Sequence, residues 1–150
     1  MSQVEVQLAT RRHSVPRRPE ISRWVSATLA AEGAAGDVSV RVVEEDESRT
    51  LNRTYRSKDG PTNVLSFPAE LPAEIEPRLL GDLVICAPLV VAEAAAQGKA
   101  VRAHWAHLIV HGTLHLLGYE HERTLEAERM EARETSILAG LGFPNPYERA

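Results

Sequence analysis

Three of the chain's six histidines lie in one stretch, His111-Gly-Thr-Leu-His115-Leu-Leu-Gly118-Tyr-Glu-His121. If this stretch is helical up to the residue before Gly118, His111 and His115 lie on one face, one turn apart. Glycine can take the positive φ that ends a helix, so His121 can return from the other side. Three imidazoles on Zn²⁺ leave a fourth position open for water, which is the arrangement of a catalytic zinc site. The stretch therefore predicts one metal ion bound by His111, His115 and His121.

The spacing HxxxHxxGxxH is also that of a long zinc-peptidase motif, but one position differs. The peptidase motif has a glutamate directly after the first histidine as its general base, and this chain has Gly112 there. A peptidase would therefore need a base from elsewhere, such as Glu120. A bound metal lowers the pKa of its water towards about 7, so hydrolysis of another substrate stays open. The three histidines and the glycine turn favour this metal site over two core histidines and one in solvent.

Other polar residues have more than one interpretation. His104 and His107 continue the histidine stripe, and a hydrogen-bonding role in the core suits both better than ligation. His107 could also support a ligand or form a pocket wall. Glu120 could orient a histidine, accept a proton from metal-bound water or lie in solvent. Arg56 would suit a phosphate substrate beside the metal, but spacing alone leaves it a surface arginine.

The composition indicates an ordinary globular protein of one domain, residues 1–150. Hydrophobic residues make up 43% and charged residues 25% of the chain. We find no apolar run of membrane length, no signal peptide and one cysteine, Cys86, so we expect a cytoplasmic protein without a disulfide or a membrane partner. The net charge of -4 argues against sequence-blind coating of nucleic acid. It leaves room for a local basic surface around Arg53, Arg56 and Lys58.

Hydrophobic periodicity predicts the element order β α β α β β α α α. The expected strands are 3–8, 37–43, 63–67 and 81–86, and the expected helices are 19–33, 48–56, 88–98, 100–117 and 122–139. The acidic run 44–47 precedes the second helix. Residues 11–18 are expected to form a loop, and 69–78 an exposed loop or a crossing segment. This order predicts an α/β or α+β fold in which helices cover a mixed four-stranded sheet.

Three segments and the C-terminal end carry a resemblance to a known family. They are Tyr55-Arg-Ser-Lys-Asp-Gly-Pro-Thr-Asn-Val-Leu-Ser-Phe-Pro68, Gly81-Asp-Leu-Val-Ile-Cys-Ala-Pro88, His104-Trp-Ala-His-Leu-Ile-Val-His-Gly-Thr-Leu-His-Leu-Leu-Gly-Tyr-Glu-His121 and Phe143-Pro-Asn-Pro-Tyr147. Together they resemble the YbeY family of bacterial endoribonucleases and ribosome-maturation factors over nearly the whole chain. The resemblance implies a single α/β domain with a metal site at the base of a cleft, one Zn²⁺ per chain and the three histidines as ligands.

The resemblance also implies an activity, the metal-dependent cleavage of single-stranded RNA. The implied role is 3′-end processing of small-subunit (16S) ribosomal RNA and ribosome quality control, with small-subunit ribosomal proteins and the GTPase Era as partners. Arg56 matches the family's functional arginine, and we expect it to act in catalysis together with Glu120. We expect Arg56, Lys58 and His107 to contact the RNA. Many members have aspartate at the position of Glu120, so this chain keeps the carboxylate with a longer reach.

Two other functions fit the residues. One is a peptidase-like metal hydrolase, and the other is a non-catalytic ribosome assembly factor whose metal holds the fold. Histidine ligands suit zinc, but also nickel, copper and iron. Either water or the RNA 2′-hydroxyl could serve as the nucleophile of the RNA reaction.

Overall fold

The structure is a computed structural model that describes residues 3–10, 14–69 and 79–148. Its strands are β1 (Val4–Leu8), β2 (Asp37–Val43), β3 (Val64–Pro68) and β4 (Leu79–Cys86). Its helices are α1 (Arg18–Ala31), α2 (Glu45–Arg56), α3 (Ala87–Gln97), α4 (Val101–Leu116) and α5 (Thr124–Gly140). The order along the chain is the predicted one, and every bound lies within three residues of its predicted position.

Helix α2 begins earlier than predicted. It begins at Glu45, so the acidic run forms the first turn of the helix instead of preceding it. Carboxylates in the first turn offset the positive end of the helix dipole. One of them, Glu47, also pairs with Arg41 on β2, at 2.5 Å from its Nε. The run is therefore accounted for by helix stability and local ion pairing.

Two predicted loops fall partly outside the described residues. These are most of 69–78 and residues 11–13 of the loop at 11–18. Among the helices that the structure describes, none is long and apolar enough to cross a membrane. Cys86 is buried at the end of β4, and burial raises the pKa of its thiol. A buried thiol of raised pKa is inert, as its apolar surroundings in the sequence predict.

The four strands form one mixed sheet in the order β1-β2-β4-β3. β1 pairs parallel with β2 and β2 pairs parallel with β4, whereas β3 pairs antiparallel with β4. The predicted mixed α/β fold is thereby confirmed. β3 lies at one edge, and no strand among the described residues pairs with its outer side.

Helices cover both faces of the sheet, and β4 lies in its interior. Leu83 and Ile85 of β4 belong to the main core, to which α1 and α4 also contribute. Val84 faces the other way and packs with Val43 and Leu65 in a smaller cluster under α2. A strand buried on both faces is what its continuous apolar run predicts. Helix α4 contacts α1, α3, α5, β3 and β4, so the side chains it carries are held from several directions.

Helix α4 approaches β3 closely at Gly112. A Cβ atom at this position would lie 2.9 Å from Leu83 Cδ2 and 3.3 Å from Val64 Cγ2. Ser66 Oγ on β3 donates a hydrogen bond to the Gly112 carbonyl at 3.2 Å. A residue without a side chain lets the helix come this near to the sheet. Gly112 therefore fixes the depth at which the neighbouring His111 enters the site.

Candidate metal centre

The end of α4 brings three histidines together. His111 and His115 lie one turn apart, and their Nε2 atoms are 3.1 Å from each other. Gly118 has a φ of 100°, which turns the chain back after the helix. The His121 ring then lies 5.4 Å from the His111 ring and 4.9 Å from the His115 ring, centroid to centroid. One ligand atom from each residue lies within 4.8 Å of the others, so the three could hold one metal ion.

The donor atoms of this cluster fit a zinc ion. Two nitrogens bound to one tetrahedral Zn²⁺ at normal bond lengths lie about 3.3 Å apart, close to the separation of the two Nε2 atoms. His115 Nδ1 lies 2.7 Å from the Tyr119 carbonyl oxygen, which can only accept a hydrogen bond. His115 therefore carries its proton on Nδ1 and leaves the Nε2 lone pair free for a metal. Burial and the neighbouring His111 lower the pKa of His115, which favours this neutral form.

A buried carboxylate orients the first histidine. Glu134 on α5 is fully buried, and its Oε2 lies 2.5 Å from His111 Nδ1. Its Oε1 lies 3.3 Å from His107 Nε2 and also accepts a hydrogen bond from the Tyr147 hydroxyl. Burial opposes ionisation of Glu134, but the hydrogen bonds from His107, His111 and Tyr147 outweigh it and lower its pKa to about 2. The charged carboxylate directs the His111 Nδ1–H away from the metal position and leaves Nε2 free to ligate.

Glu134 was not among the site residues predicted from the sequence. The available signal was its position on α5, four residues after Met130 and three before Ile137, both of which are buried. A carboxylate on the apolar stripe of an amphipathic helix needs a buried partner. The sequence around Glu134 does not indicate which residue is that partner, because His111 belongs to another helix. Tyr147 was part of the family resemblance, but its hydrogen bond to Glu134 is seen only in the folded chain. Burial and the Glu134 carboxylate raise the pKa of the Tyr147 hydroxyl.

His104 and His107 take hydrogen-bonding positions beside the three-histidine cluster. His104 is buried, with Nε2 at 2.9 Å from Glu93 Oε1, and burial lowers its pKa. His107, His111 and Glu134 also lie close enough to form a metal-binding group. In that group, however, His111 would use Nδ1, which is engaged with Glu134. We therefore interpret His107 as part of the network around Glu134.

A cavity of about 590 Å³ opens over the three histidines. It combines the candidate ligands with residues from α2, from the loop after it and from the free edge of β3. The lining residues are Asn52, Arg56, Lys58, Thr62, Asn63, Val64, Leu65, Ser66, Pro68, His111, His115, Glu120, His121 and Glu122. Arg56, which spacing could not place near the metal, thus shares one cavity with the three histidines. Its Nη2 lies 3.4 Å from the Ser66 carbonyl oxygen.

Lys58 and Glu120 also line this cavity, but His107 does not. His107 lines a neighbouring cavity of about 340 Å³, together with His104 and Tyr147. The two cavities share His111 as a wall. The expectation that His107 contacts substrate therefore stays a prediction, and its observed contacts are those of a residue behind the metal position.

Hydrogen bonds fix the loop that carries the basic side chains. Ser57 ends α2 in the left-handed conformation, with φ at 54°. Asn52 Nδ2 donates to the Gly60 carbonyl at 2.9 Å. Ser48 Oγ both donates to the Thr62 carbonyl and accepts from the Thr62 backbone N–H. The loop is thus tied back onto α2, which fixes the backbone next to Arg56 and Lys58, two residues that line the cavity.

The fold and the site together define a one-domain mixed α/β protein with a three-histidine candidate metal centre open to a cavity. A family model described as Endoribonuclease YbeY matches residues 6–142. A protein named Endoribonuclease YbeY from Halorhodospira halophila is 55% identical over 138 residues, covering 90% of each chain. Its namesake from Nitrosococcus oceani is 50% identical over 147 residues, covering 97% of this chain and 96% of the relative. The chain belongs to the Endoribonuclease YbeY family.

A solved structure is similar in fold. The solution structure of TM1509 from Thermotoga maritima matches with a TM-score of 0.58 and 23% sequence identity. The match covers 99% of this chain and 100% of that one. At this identity the likeness supports the fold alone, and it agrees with the sheet and helix arrangement described above.

Proposed function

We propose that this protein is a zinc-dependent endoribonuclease that cuts single-stranded RNA. We place its action in the 3′-end processing of 16S ribosomal RNA and in ribosome quality control. Membership of the family supports cleavage of RNA in ribosomal RNA maturation. The observation that carries the proposal for this chain is the cavity that Arg56 shares with three histidines. A guanidinium that lines the same cavity as a metal position suits a phosphodiester substrate.

His111, His115 and His121 would hold one Zn²⁺. The ion would supply activation of the nucleophile and neutralisation of charge on a phosphate oxygen. Residues that contact the ligands also contribute. Glu134 holds the imidazole of His111 in one tautomer, and the Tyr119 carbonyl does the same for His115. Rings held in this way need no reorientation during the reaction.

Arg56 would bind the scissile phosphate through its planar guanidinium and offset the negative charge that develops at phosphorus. Lys58 would contact a neighbouring phosphate as a point charge. The attacking oxygen, from water or from the RNA 2′-hydroxyl, has to lose a proton during attack. Glu120 lines the same cavity and is our candidate for accepting that proton.

The peptidase alternative has less support. Gly112 occupies the position of the peptidase base, and a larger side chain there would have to displace the side chains of Leu83 and Val64. For the cellular setting we propose the cytoplasm, with small-subunit ribosomal proteins and an Era-type GTPase as partners. These partners follow from the family resemblance, and the test of the activity does not depend on them.

Cleavage of unstructured 16S ribosomal RNA fragments by purified, zinc-analysed protein tests the proposal. We expect Arg56→Ala to lower kcat/KM about 100-fold, since one charge-stabilising donor is lost. Arg49→Ala is the matched control, because Arg49 lies on the same helix but outside the cavity, and it should cut at the wild-type rate. His115→Ala should lose both zinc and activity.

Two results would contradict the proposal. One is the absence of cleavage with every divalent metal tried. The other is equal cleavage by the wild type, Arg56→Ala and His115→Ala, which would identify a contaminating nuclease. Rescue of ribosome maturation in a deletion strain by folded variants that cannot cut RNA would favour the non-catalytic assembly factor instead.

A further inference from the structure

Tyr55 is the most exposed aromatic residue in the described part of the chain, with 64% of its surface open to solvent. It lies in the last turn of α2, directly before Arg56. Its ring contacts Phe67 of β3 nearly at right angles, with centroids 5.2 Å apart and an interplanar angle of 71°. A perpendicular contact of this kind covers at most one face of the tyrosine ring. The exposure of the side chain indicates that another face is open to solvent.

The core accounts for only part of the surface of this ring. Leu51 and Tyr55 are four residues apart and share one face of α2. Leu51 packs on the small cluster beneath the helix, where β3 and β4 provide apolar partners. One turn later β3 reaches its end at Pro68, and Phe67 is the one aromatic contact that Tyr55 makes among the described residues. The tyrosine ring therefore packs on the rim of this cluster, through Phe67, and most of its surface stays in solvent.

Basic residues flank Tyr55 along the chain, and two of them, Arg56 and Lys58, line the cavity over the three histidines. Arg53, Arg56 and Lys58 surround it in sequence, against the single carboxylate of Asp59. The pair of Arg53 and Asp59 is 3.9 Å long and exposed, so it leaves the arginine available. The acidic first turn of α2 lies at the other end of the helix, about 15 Å away at 1.5 Å per residue. An exposed aromatic residue with basic neighbours along the chain is a combination that binds unpaired nucleotides.

We propose that Tyr55 stacks on an unpaired base next to the phosphate that Arg56 holds. This inference rests on the proposed function and names the part of the RNA that the site recognises. Tyr55 and Arg56 are consecutive residues of α2, so the base and the phosphate would belong to nucleotides close together on the strand. Every base has a π-face, so the contact tolerates any sequence. In a duplex both faces of a base are stacked on their neighbours, so the contact selects single strands.

Two substitutions separate stacking from packing. Tyr55→Phe keeps the ring, whereas Tyr55→Leu keeps apolar cover over Phe67 and removes the π-face. The ligands are short fluorescein-labelled single-stranded RNAs, either intact or with one abasic nucleotide moved along the strand. Binding to the zinc-loaded protein is measured by anisotropy at low temperature, with the RNA checked on a gel afterwards. Cleavage of the same RNAs is measured separately.

With the wild type and Tyr55→Phe, we expect an abasic nucleotide at one position to weaken binding about tenfold. Tyr55→Leu should bind intact RNA about tenfold more weakly and show no further loss with that abasic RNA. The stacking inference is overturned if no abasic position weakens binding to the wild type. It is also overturned if Tyr55→Leu keeps the full abasic penalty. Failure to cut RNA would refute the proposed function, whereas cutting without abasic sensitivity would refute the stacking alone.

Discussion

At the residue scale, Glu134 shows how much of a metal centre lies behind its ligands. The carboxylate is not one of the three histidine ligands, yet it accepts hydrogen bonds from His107, His111 and Tyr147. Its charge fixes which nitrogen of His111 faces the cavity. A buried carboxylate with three donors is stable as an anion, in agreement with its low pKa.

Replacing this charge by a neutral amide should weaken zinc binding. Glu134→Gln keeps the size of the side chain but can no longer accept from all three donors. We expect zinc affinity to fall about 10- to 100-fold, as measured by competition with a chromogenic chelator. Glu128→Gln, at an exposed position on the same helix, is the control and should bind like the wild type. Equal affinities for the Glu134→Gln variant and the wild type would show that His111 is oriented by other contacts.

At the element scale, the packing of α4 against β3 depends on one glycine. The helix carries two of the candidate ligands, and the cavity lies between this helix and the edge of β3. Gly112 sits where the two elements are close, and a Cβ atom there would meet the side chains of Leu83 and Val64. The position at which a peptidase motif has its catalytic glutamate is occupied here by a glycine, which serves as a packing contact.

Introducing the peptidase glutamate should therefore destabilise the fold and add no activity. Gly112→Glu forces a carboxylate between α4 and the sheet, where it has no partner. We expect a loss of about 3 kcal/mol in the free energy of unfolding and a fall in Tm of roughly 6–12 °C. Gly140→Glu is the matched control, since a side chain at this helical glycine meets nothing within 4 Å. Thermal melts followed by circular dichroism check both variants, and an unchanged Tm for Gly112→Glu would contradict the packing argument.

At the scale of the whole molecule, binding of a metal should stabilise the folded chain. The helix and the turn that bring the three histidines together are absent from the unfolded chain, so zinc at 100 times its dissociation constant should add about 2.7 kcal/mol. For a chain of this size we expect a rise in Tm of roughly 5–11 °C. His115→Ala should melt at the same temperature with and without zinc. A wild-type Tm that zinc and chelator leave unchanged would contradict binding at this cluster.

The sequence predicted what depends on neighbouring residues and missed what depends on distant ones. The order of elements and the spacing of the histidines are local patterns, and the helix and the turn at Gly118 appear as predicted. The placement of Arg56 in the cavity depends on the pairing of β3 with β4 and on the packing of α2. The contact of Glu134 with His111 depends on how α5 packs on α4. Hydrophobic periodicity predicts neither of these two contacts. The family resemblance indicated Arg56, and the contact of Glu134 is seen only in the folded chain.

All three candidate ligands come from eleven consecutive residues, whereas Arg56 enters the cavity from 55 positions before His111. Closing a short segment costs little chain entropy, and contacts between residues near in sequence form early in folding. The side of the cavity that Arg56 lines forms only after α2, β3 and β4 have assembled. We therefore expect a partly folded chain to capture a metal before it has a surface for phosphate. Folding of the protein would then have two stages: the chain binds the metal first and becomes able to bind RNA afterwards.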